Sequence, residues 1–584
     1  MKVRILSCAT FVCSLAVASD IPHLQKQGTA TQLVVDGKPF LALAGELHNS
    51  SATGLEYMKP VWPKLAAAKL NTVLAGVSWN QIEPQEGKFN FSVVDGVIQG
   101  ARSYNLRLVL LWFGTWKNGL SSYPPDWVKR DFERFPRAQI VGDKTPWPVI
   151  GGPRTQIVGS RSIELLSPFS DANRDADARA FAALMRHVKE VDGQQHTVIM
   201  IQVENEIGMQ GDTRDRSPVA NQAYAGPVPK ELMDYLEKHK GTLIPELRRV
   251  WEAAGLKPSG TWEEVFGQGR APDEIFMAWN FARYVGRVVE AGKAEYPIPM
   301  YVNCPHYGFG TEPAPLHGRT PEGNVRGQCG CSMPDAMDVW RAGAPRIDIL
   351  SPDIAPSDFV PFCAKYTQSG NPLFIPETQG GRKSTAARAL YAFGAHDAIG
   401  FSPFAIDAWA GNDPDSARRD VYDFLSRLAP LILEHQGKGT MSAVLLGPND
   451  PPQKLQLGNY TLEAAYLGPL FRTLPPDVPT SAAIFIATGP DEYFVAGSGV
   501  SVLFSPNTLG PPRAGLGTVE EGTFVNGRWV PGRQLAGDDT GQGDFVASWG
   551  DWKSGGWSGD TTGHGQNMYM RDLSIQRVTL YRYR

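Results

Sequence analysis

The stretch Thr197-Val198-Ile199-Met200-Ile201-Gln202-Val203-Glu204-Asn205-Glu206 decides how the rest of the chain is read. Its first half is apolar and β-branched, the composition of a strand buried on both faces of a parallel sheet. Its last two residues are polar. In a barrel of alternating strands and helices, chemistry sits at the carboxyl ends of the strands. A carboxylate is costly to bury there unless it is paired or used. Glu206 is therefore a candidate catalytic carboxylate. Alternation with period two puts Glu204 on the same side, deeper in the barrel, as a structural, hydrogen-bonded group.

Outward from this strand the chain alternates strand and helix. Gln32–Phe40 reads as a hairpin turning at Asp36-Gly37. Leu41–His48, Asn71–Trp79 and Leu106–Phe113 read as the first three barrel strands, and the opening stretch is the fourth. Pro299–Cys304, Ile347–Ile354, Leu373–Glu377 and Ala398–Ile406 follow as the fifth to eighth. Helical periodicity falls over Tyr57–Leu70, Val93–Tyr104, Asn173–Val191 with Asp171 as its cap, Pro229–Ala254, Glu274–Ala294 and Ser416–His435. Long loops follow the third and fourth strands, from Gly114 and Gly208, a length expected where loops are functional. The pattern is that of an α/β fold, a (β/α)8 TIM barrel. A doubly wound sheet fits less well, because no Gly-rich phosphate turn follows the first strand. After Gly437 the composition turns to Gly, Pro, Thr and Val in short alternating runs, which predicts a smaller all-β, sandwich-like accessory domain over 437–584. Within it, Thr523–Val530 is a hairpin turning at Asn526-Gly527.

The 584 residues exceed one core and require more than one domain. A net charge of −4 gives no footprint for nucleic acid or an anionic membrane. Lys2 and Arg4, the apolar run Ile5–Val17 and Ala16-Val17-Ala18 read as a signal peptide over 1–18, which leaves the barrel 19–436 and predicts a secreted protein, extracellular or periplasmic. Cys304, Cys329, Cys331 and Cys363 then remain, with three possible pairings. Their spacing is not that of a zinc site, so neither metal nor cofactor is expected. Oligomeric state is not legible.

The second carboxylate is Glu377, in Leu373-Phe374-Ile375-Pro376-Glu377, an apolar strand ending in Glu like the fourth. Side chains from the ends of strands four and seven converge over a closed barrel. Glycosidic bonds are cleaved by two such carboxyl groups. Asp353, Asp407 and Trp409, near the ends of strands six and eight, are further candidates, each equally readable as a loop cap or salt bridge.

Trp79-Asn80-Gln81-Ile82-Glu83-Pro84-Gln85-Glu86-Gly87-Lys88-Phe89, Gly45-Glu46-Leu47-His48 and Gln202–Glu206 together resemble β-galactosidases of glycoside hydrolase family 35, in the mainly microbial branch with a β-rich C-terminal part. The resemblance covers about residues 30–435. It implies a retaining exo-β-galactosidase, with Glu206 as acid/base, Glu377 as nucleophile, Asn205 on the sugar 2-hydroxyl and Glu46 at the sugar. The substrate would be a galactosyl oligo- or polysaccharide. The chain departs from the family at Gly76, at Thr378 and at Leu111–Asn118. There Trp116, Lys117 and Asn118 stand as substrate contacts, similar to members acting on galactosyl side chains of plant polysaccharides. The alternatives are another β-glycosidase specificity on the same barrel, or a non-catalytic carbohydrate-binding protein.

Overall fold

Eight parallel strands close into a barrel in the order of the chain: Ala42–Glu46, Thr72–Ser78, Arg107–Lys117, Val198–Asn205, Met300–His306, Ile349–Ile354, Phe374–Thr378 and Gly400–Pro403. Ile375 and Phe374 of the seventh strand pair with the eighth, and Gly400 and Phe401 pair back to Ala42 and Leu43 of the first, which closes the ring. The structure is a computed structural model that describes residues 21–140, 164–209, 212–306, 329–354, 359–378, 384–409, 417–467, 481–535, 537–540, 542–548 and 573–584. The segment 1–18, read as a signal peptide, lies outside the described residues. Among the described residues, no helix is long and apolar enough to cross a membrane.

Alternation explains the barrel's two cores. Ala44, Leu74, Val109, Leu111, Met200, Tyr301, Ile349 and Phe374 point inward and fill the lumen. Their neighbours in sequence, among them Leu43, Val73, Leu110, Ile201, Val302 and Ile375, point outward beneath the helices. A three-stranded antiparallel sheet, His23–Gln27, Ala30–Val35 and Lys38–Phe40, plugs the amino end, where Leu33 and Val35 join the lumen core. Its expected turn holds: Asp36 and Gly37 both have positive φ, 52° and 72°. Asp36 ties the plug to the barrel by accepting from Arg107 Nη2 at 2.6 Å, with His196 Nδ1 at 2.8 Å on its other oxygen.

Local readings shift where backbone chemistry intervenes. The third strand runs to Lys117, four residues beyond its expected end. The Asp171–Asp192 helix is capped by Ser170, whose hydroxyl accepts from Asn173 N at 3.2 Å. The Tyr57–Leu70 helix divides into Leu55–Met58 and Trp62–Ala67 around Pro60. The Pro229–Ala254 helix divides into Lys230–Lys238 and Pro245–Ala253, with Asp338 accepting from Ile244 N at 2.7 Å at the second start. Cys304 and Cys331 form a disulfide, whereas Cys329 and Cys363 are buried thiols.

Beyond His435 the chain forms a six-stranded and a four-stranded antiparallel sheet. The strand Ser481–Gly489 is buried along both faces. Ile484 and Ile486 pack toward the barrel helices Ser384–His396 and Ala417–His435. Ala483 and Phe485 face the second sheet, among Leu457, Tyr460, Leu462 and Val502. The β-sheets are therefore both a sandwich and a buttress on one flank of the barrel. Asn526 and Gly527 turn the predicted hairpin, with φ of 51° and 73°.

Candidate active site

The end of the fourth strand bends twice through left-handed backbone. Glu204 has φ 62° and Glu206 has φ 46°. Non-glycine residues held there cost about 1–3 kcal/mol each and cluster at functional sites. The first bend breaks the alternation, so Glu204 does not lie beside Glu206 in the lumen as expected. It leaves the barrel wall, accepts from Trp116 N at 2.6 Å and meets Asp177 on the helix outside. The second bend is fixed by Asn303 of the fifth strand, whose Oδ1 accepts from Glu206 N at 2.9 Å. Asn303 Nδ2 in turn donates to Asp353 Oδ2 at 2.6 Å. One amide thus couples the backbone of strand four to a carboxylate of strand six.

Carboxyl oxygens of Glu206, Asp353 and Glu377 lie within 4.8 Å of one another over the carboxyl end of the barrel. Glu206 and Asp353 are buried, and Glu377 keeps contact with solvent. Burial raises the Glu377 carboxyl to about 7, the Glu206 charge adds to the rise, and Lys117 opposes it. Burial, then Glu377, push Glu46 well above the usual carboxylate range, with Lys117 again opposing. Asp353 is pushed up in the same way by burial, Glu377, Glu206 and Glu46. Four carboxyl groups around one ammonium cannot all ionise near neutrality, so the site retains protons and titrates as a coupled set. The same three oxygens could also chelate a hard cation.

Lys117 belongs to the mouth and Trp116 does not. Lys117 Nζ donates to Asn205 Oδ1 at 2.8 Å and to Asn118 Oδ1 at 3.0 Å, and sits 4.7 Å from the Phe113 ring centre. Asn118 N donates to Asn205 O at 3.1 Å, which locks the ends of strands three and four together. Trp116, expected at the sugar, faces outward with no exposed surface, against Phe281 and Tyr284 at 5.2 and 4.4 Å. Its indole donates to Leu166 O at 3.2 Å. It is a packing residue.

Asp407 is likewise committed elsewhere. Its carboxylate accepts from His48 N at 3.0 Å and from Ser51 Oγ at 2.6 Å, and clamps the loop after the first strand. Trp409 ends a short helix, Ile406–Trp409, and its side chain lies outside the described residues. Glu83 of the Trp-x-x-x-Glu-Pro string is structural too: it accepts from Trp79 Nε1 at 2.9 Å and Gly87 N at 2.7 Å. Gly76 is glycine for want of room, since a Cβ there would stand 2.6 Å from the Phe113 ring. Phe113 of the neighbouring strand occupies that space.

Sequence reasoning missed Tyr301 and Asn303. Both alternate inward along an apolar strand, and the polar Asn303 within it was the available signal. Tyr301 is fully buried, lies edge-on to Phe374 at 5.1 Å, and its hydroxyl is unpaired. Glu46 Oε1, Gln202 Nε2 and Asn205 Nδ2 are buried and unpaired as well. Buried polar atoms are almost always satisfied, so this set of donors and acceptors is suited to a polyhydroxylated ligand.

Comparison with known proteins points the same way over part of the chain. Residues 57–267 match the family model described as β-galactosidase. That model is of glycoside hydrolase family 42, not of family 35. The matched span holds Lys117, Asn205 and Glu206 and ends before Glu377. Residues 419–547 match a domain of unknown function (DUF5597). A β-galactosidase of Xanthomonas manihotis is 30% identical over 194 residues, 33% of this chain and 27% of that protein. β-Galactosidase 11 of Arabidopsis thaliana is 42% identical over 66 residues, 11% of this chain and 7% of that one. The chain thus spans at most about a quarter of the length of these relatives. Among solved structures, β-galactosidases from Rahnella sp. R3 and from Bacillus circulans sp. alkalophilus align at 16% and 17% identity, each with a TM-score of 0.42. Each alignment covers 68% of this chain and 57% of the other.

Proposed function

We propose that the protein is a retaining β-galactosidase that removes terminal β-galactosyl residues, acting through Glu206 and Glu377. The observation that carries the reading is that a carboxyl oxygen of Glu206 lies within 4.8 Å of one of Glu377, at the ends of strands four and seven. Two carboxyl groups this close can flank one glycosidic bond, as cleavage by such a pair requires, and the retaining course is the one the family resemblance implies. The match of residues 57–267 to the β-galactosidase model, and the similarity to a β-galactosidase over 194 residues, support galactose as the sugar. The finer assignment to family 35, the exo mode and export from the cell rest on the sequence motifs.

In the first step Glu377 attacks the anomeric carbon while Glu206 gives its proton to the glycosidic oxygen. The C–O bond breaks, the aglycone leaves as an alcohol, and the sugar is esterified to Glu377. In the second step Glu206 takes a proton from water, the hydroxide adds to the anomeric carbon, and Glu377 departs as a carboxylate. The productive free site holds one proton on the pair, with Glu206 protonated. Lys117 biases it that way by stabilising the Glu377 anion. Asn205, oriented by Lys117, offers its unpaired Nδ2 to a sugar hydroxyl. Glu46 and Tyr301 offer an acceptor and a hydroxyl across the pocket.

The test is a panel of aryl β-glycosides of galactose, glucose, glucosamine, fucose and arabinose on the purified protein. Turnover of the galactoside above all others is expected. Preference for another glycone would overturn the sugar, and no turnover of any would leave a carbohydrate-binding protein.

A further inference from the structure

Outside the barrel wall, the candidate mechanism leaves two buried carboxyl groups unused. Asp177, on the helix Asp171–Asp192, and Glu204 are both fully buried and face each other: Glu204 Oε1 and Asp177 Oδ1 lie 2.5 and 2.9 Å from the one point where a Cβ on Gly114 would stand. Two buried carboxylates cannot face each other in this way without a proton between them. Resting on the proposed function, we infer that Glu204 is held protonated against an ionised Asp177, and that the pair positions Lys117 and Asn205 for the reaction.

The donors around the pair say where the proton is. Asp177 Oδ1 accepts from Trp112 Nε1 at 2.9 Å, and Oδ2 accepts from Thr115 Oγ1 at 2.7 Å. Tyr284, from the helix Arg270–Glu295, stands 2.8 Å from the same Thr115 hydroxyl and can donate to it. Trp112, the Thr115 hydroxyl and, at 3.4 Å, the Tyr284 hydroxyl can all donate to Asp177, and the Thr115 backbone N–H adds to them, which favours its ionised form. Glu204 Oε2 accepts from Trp116 N at 2.6 Å, the Thr115 backbone N–H also favours its anion, and Oε1 takes no well-formed hydrogen bond from a protein donor. The proton therefore belongs on Oε1, directed at Asp177. Both groups are raised by burial, and Glu204, pushed well above its usual range, is further raised by Asp177. The Tyr284 phenol is also pushed up, by burial and then by Asp177 and Glu204, and stays neutral.

The consequence for the site is geometric. The groups that hold the pair are Trp112, Thr115 and Trp116, the residues leading directly into Lys117. Glu204 itself precedes Asn205. The shared proton thus staples the bulged end of strand three to the bend in strand four, one residue before Lys117 and Asn205 meet. Gly114 lies over the staple. A Cβ there would stand 2.3 Å from Trp112 Nε1 and 2.5 Å from Glu204 Oε1.

Two substitutions separate this from mere packing. Glu204→Gln keeps a carbonyl for Trp116 N and supplies an N–H donor to Asp177, so kcat/KM stays within about threefold. Asp177→Asn places an amide donor against the Trp112 or Thr115 donor, and kcat/KM falls at least about tenfold. A readout independent of activity is the pH dependence of Tm. Glu204 is raised in the folded state, so its contribution is full below the unfolded value of about 4.3 and is lost as pH rises through the folded pKa. Wild-type Tm should fall more steeply than that of Glu204→Gln as pH rises above the unfolded value of about 4.3. Equal slopes, or Glu204→Gln as damaging to activity as Asp177→Asn, would overturn the inference. Absence of activity in the wild type would count against the proposed function alone, and the Tm comparison would still decide the proton.

Discussion

Removing the charge of Lys117 should move the acidic limb of the pH–activity profile, not just lower its height. Lys117 is 7% exposed and opposes the rise of both Glu377 and Glu46. With it in place Glu377 stands at about 7. An opposite charge close to a carboxyl lowers it by about 1–3 units. In Lys117→Met that relief is gone, and the limb should shift upward by about that amount. The nucleophile works only when ionised, so the loss falls on the acid side. At about pH 6 the ionised fraction drops about 10- to 1,000-fold. This part vanishes only at a pH well above the shifted limb, about 8 to 10. What persists there is the lost charge-assisted bond to Asn205, about 1.5–3 kcal/mol, or roughly 10- to 150-fold. The assay is kcat/KM for an aryl β-galactoside across that range, with Lys117→Arg as the charge-keeping control. A loss of the same factor at every pH would refute the reasoning, because Lys117 would then hold Asn205 without biasing the proton.

Trp116→Ala should destabilise the fold by about 3–5 kcal/mol through the cavity left against Phe281 and Tyr284, which a chemical-denaturation midpoint measures. A large rise in KM with stability unchanged would instead return Trp116 to the sugar. Asp407→Ala strands the hydrogen-bond donors of His48 and Ser51 and should cost about 1–3 kcal/mol, read as a drop in Tm. Exhaustive chelation should leave kcat/KM unchanged. A loss restored by a divalent cation would assign Glu206, Asp353 and Glu377 to a metal.

The barrel was legible because buried parallel strands are near-continuous apolar runs, and eight of them alternate with helical periodicity. The two glutamates were legible because each ends such a run. What escaped reading depends on single backbone angles. The left-handed φ at Glu204 sends its carboxyl out of the barrel where strict alternation would keep it in. The sequence pattern ends strand three at Phe113, which leaves Trp116 in the loop from Gly114, among the expected substrate contacts. The strand in fact continues with a bulge, which turns Trp116 outward and brings Lys117 to the mouth. Asn303 and Asp353 were readable as polar residues on inward positions. Their link through Glu206 N depends on the ring order of strands four, five and six, which only the closed barrel supplies.

The assignment of Glu206 and Glu377 as a double-displacement pair is tested most directly by Glu377→Gly with an activated aryl β-galactoside and added azide. With the nucleophile gone, azide can enter the cavity on the face opposite the leaving group. Restored turnover with α-galactosyl azide as the product is the expected result. A β-galactosyl azide, or turnover by Glu377→Gly without azide at the wild-type rate, would contradict it.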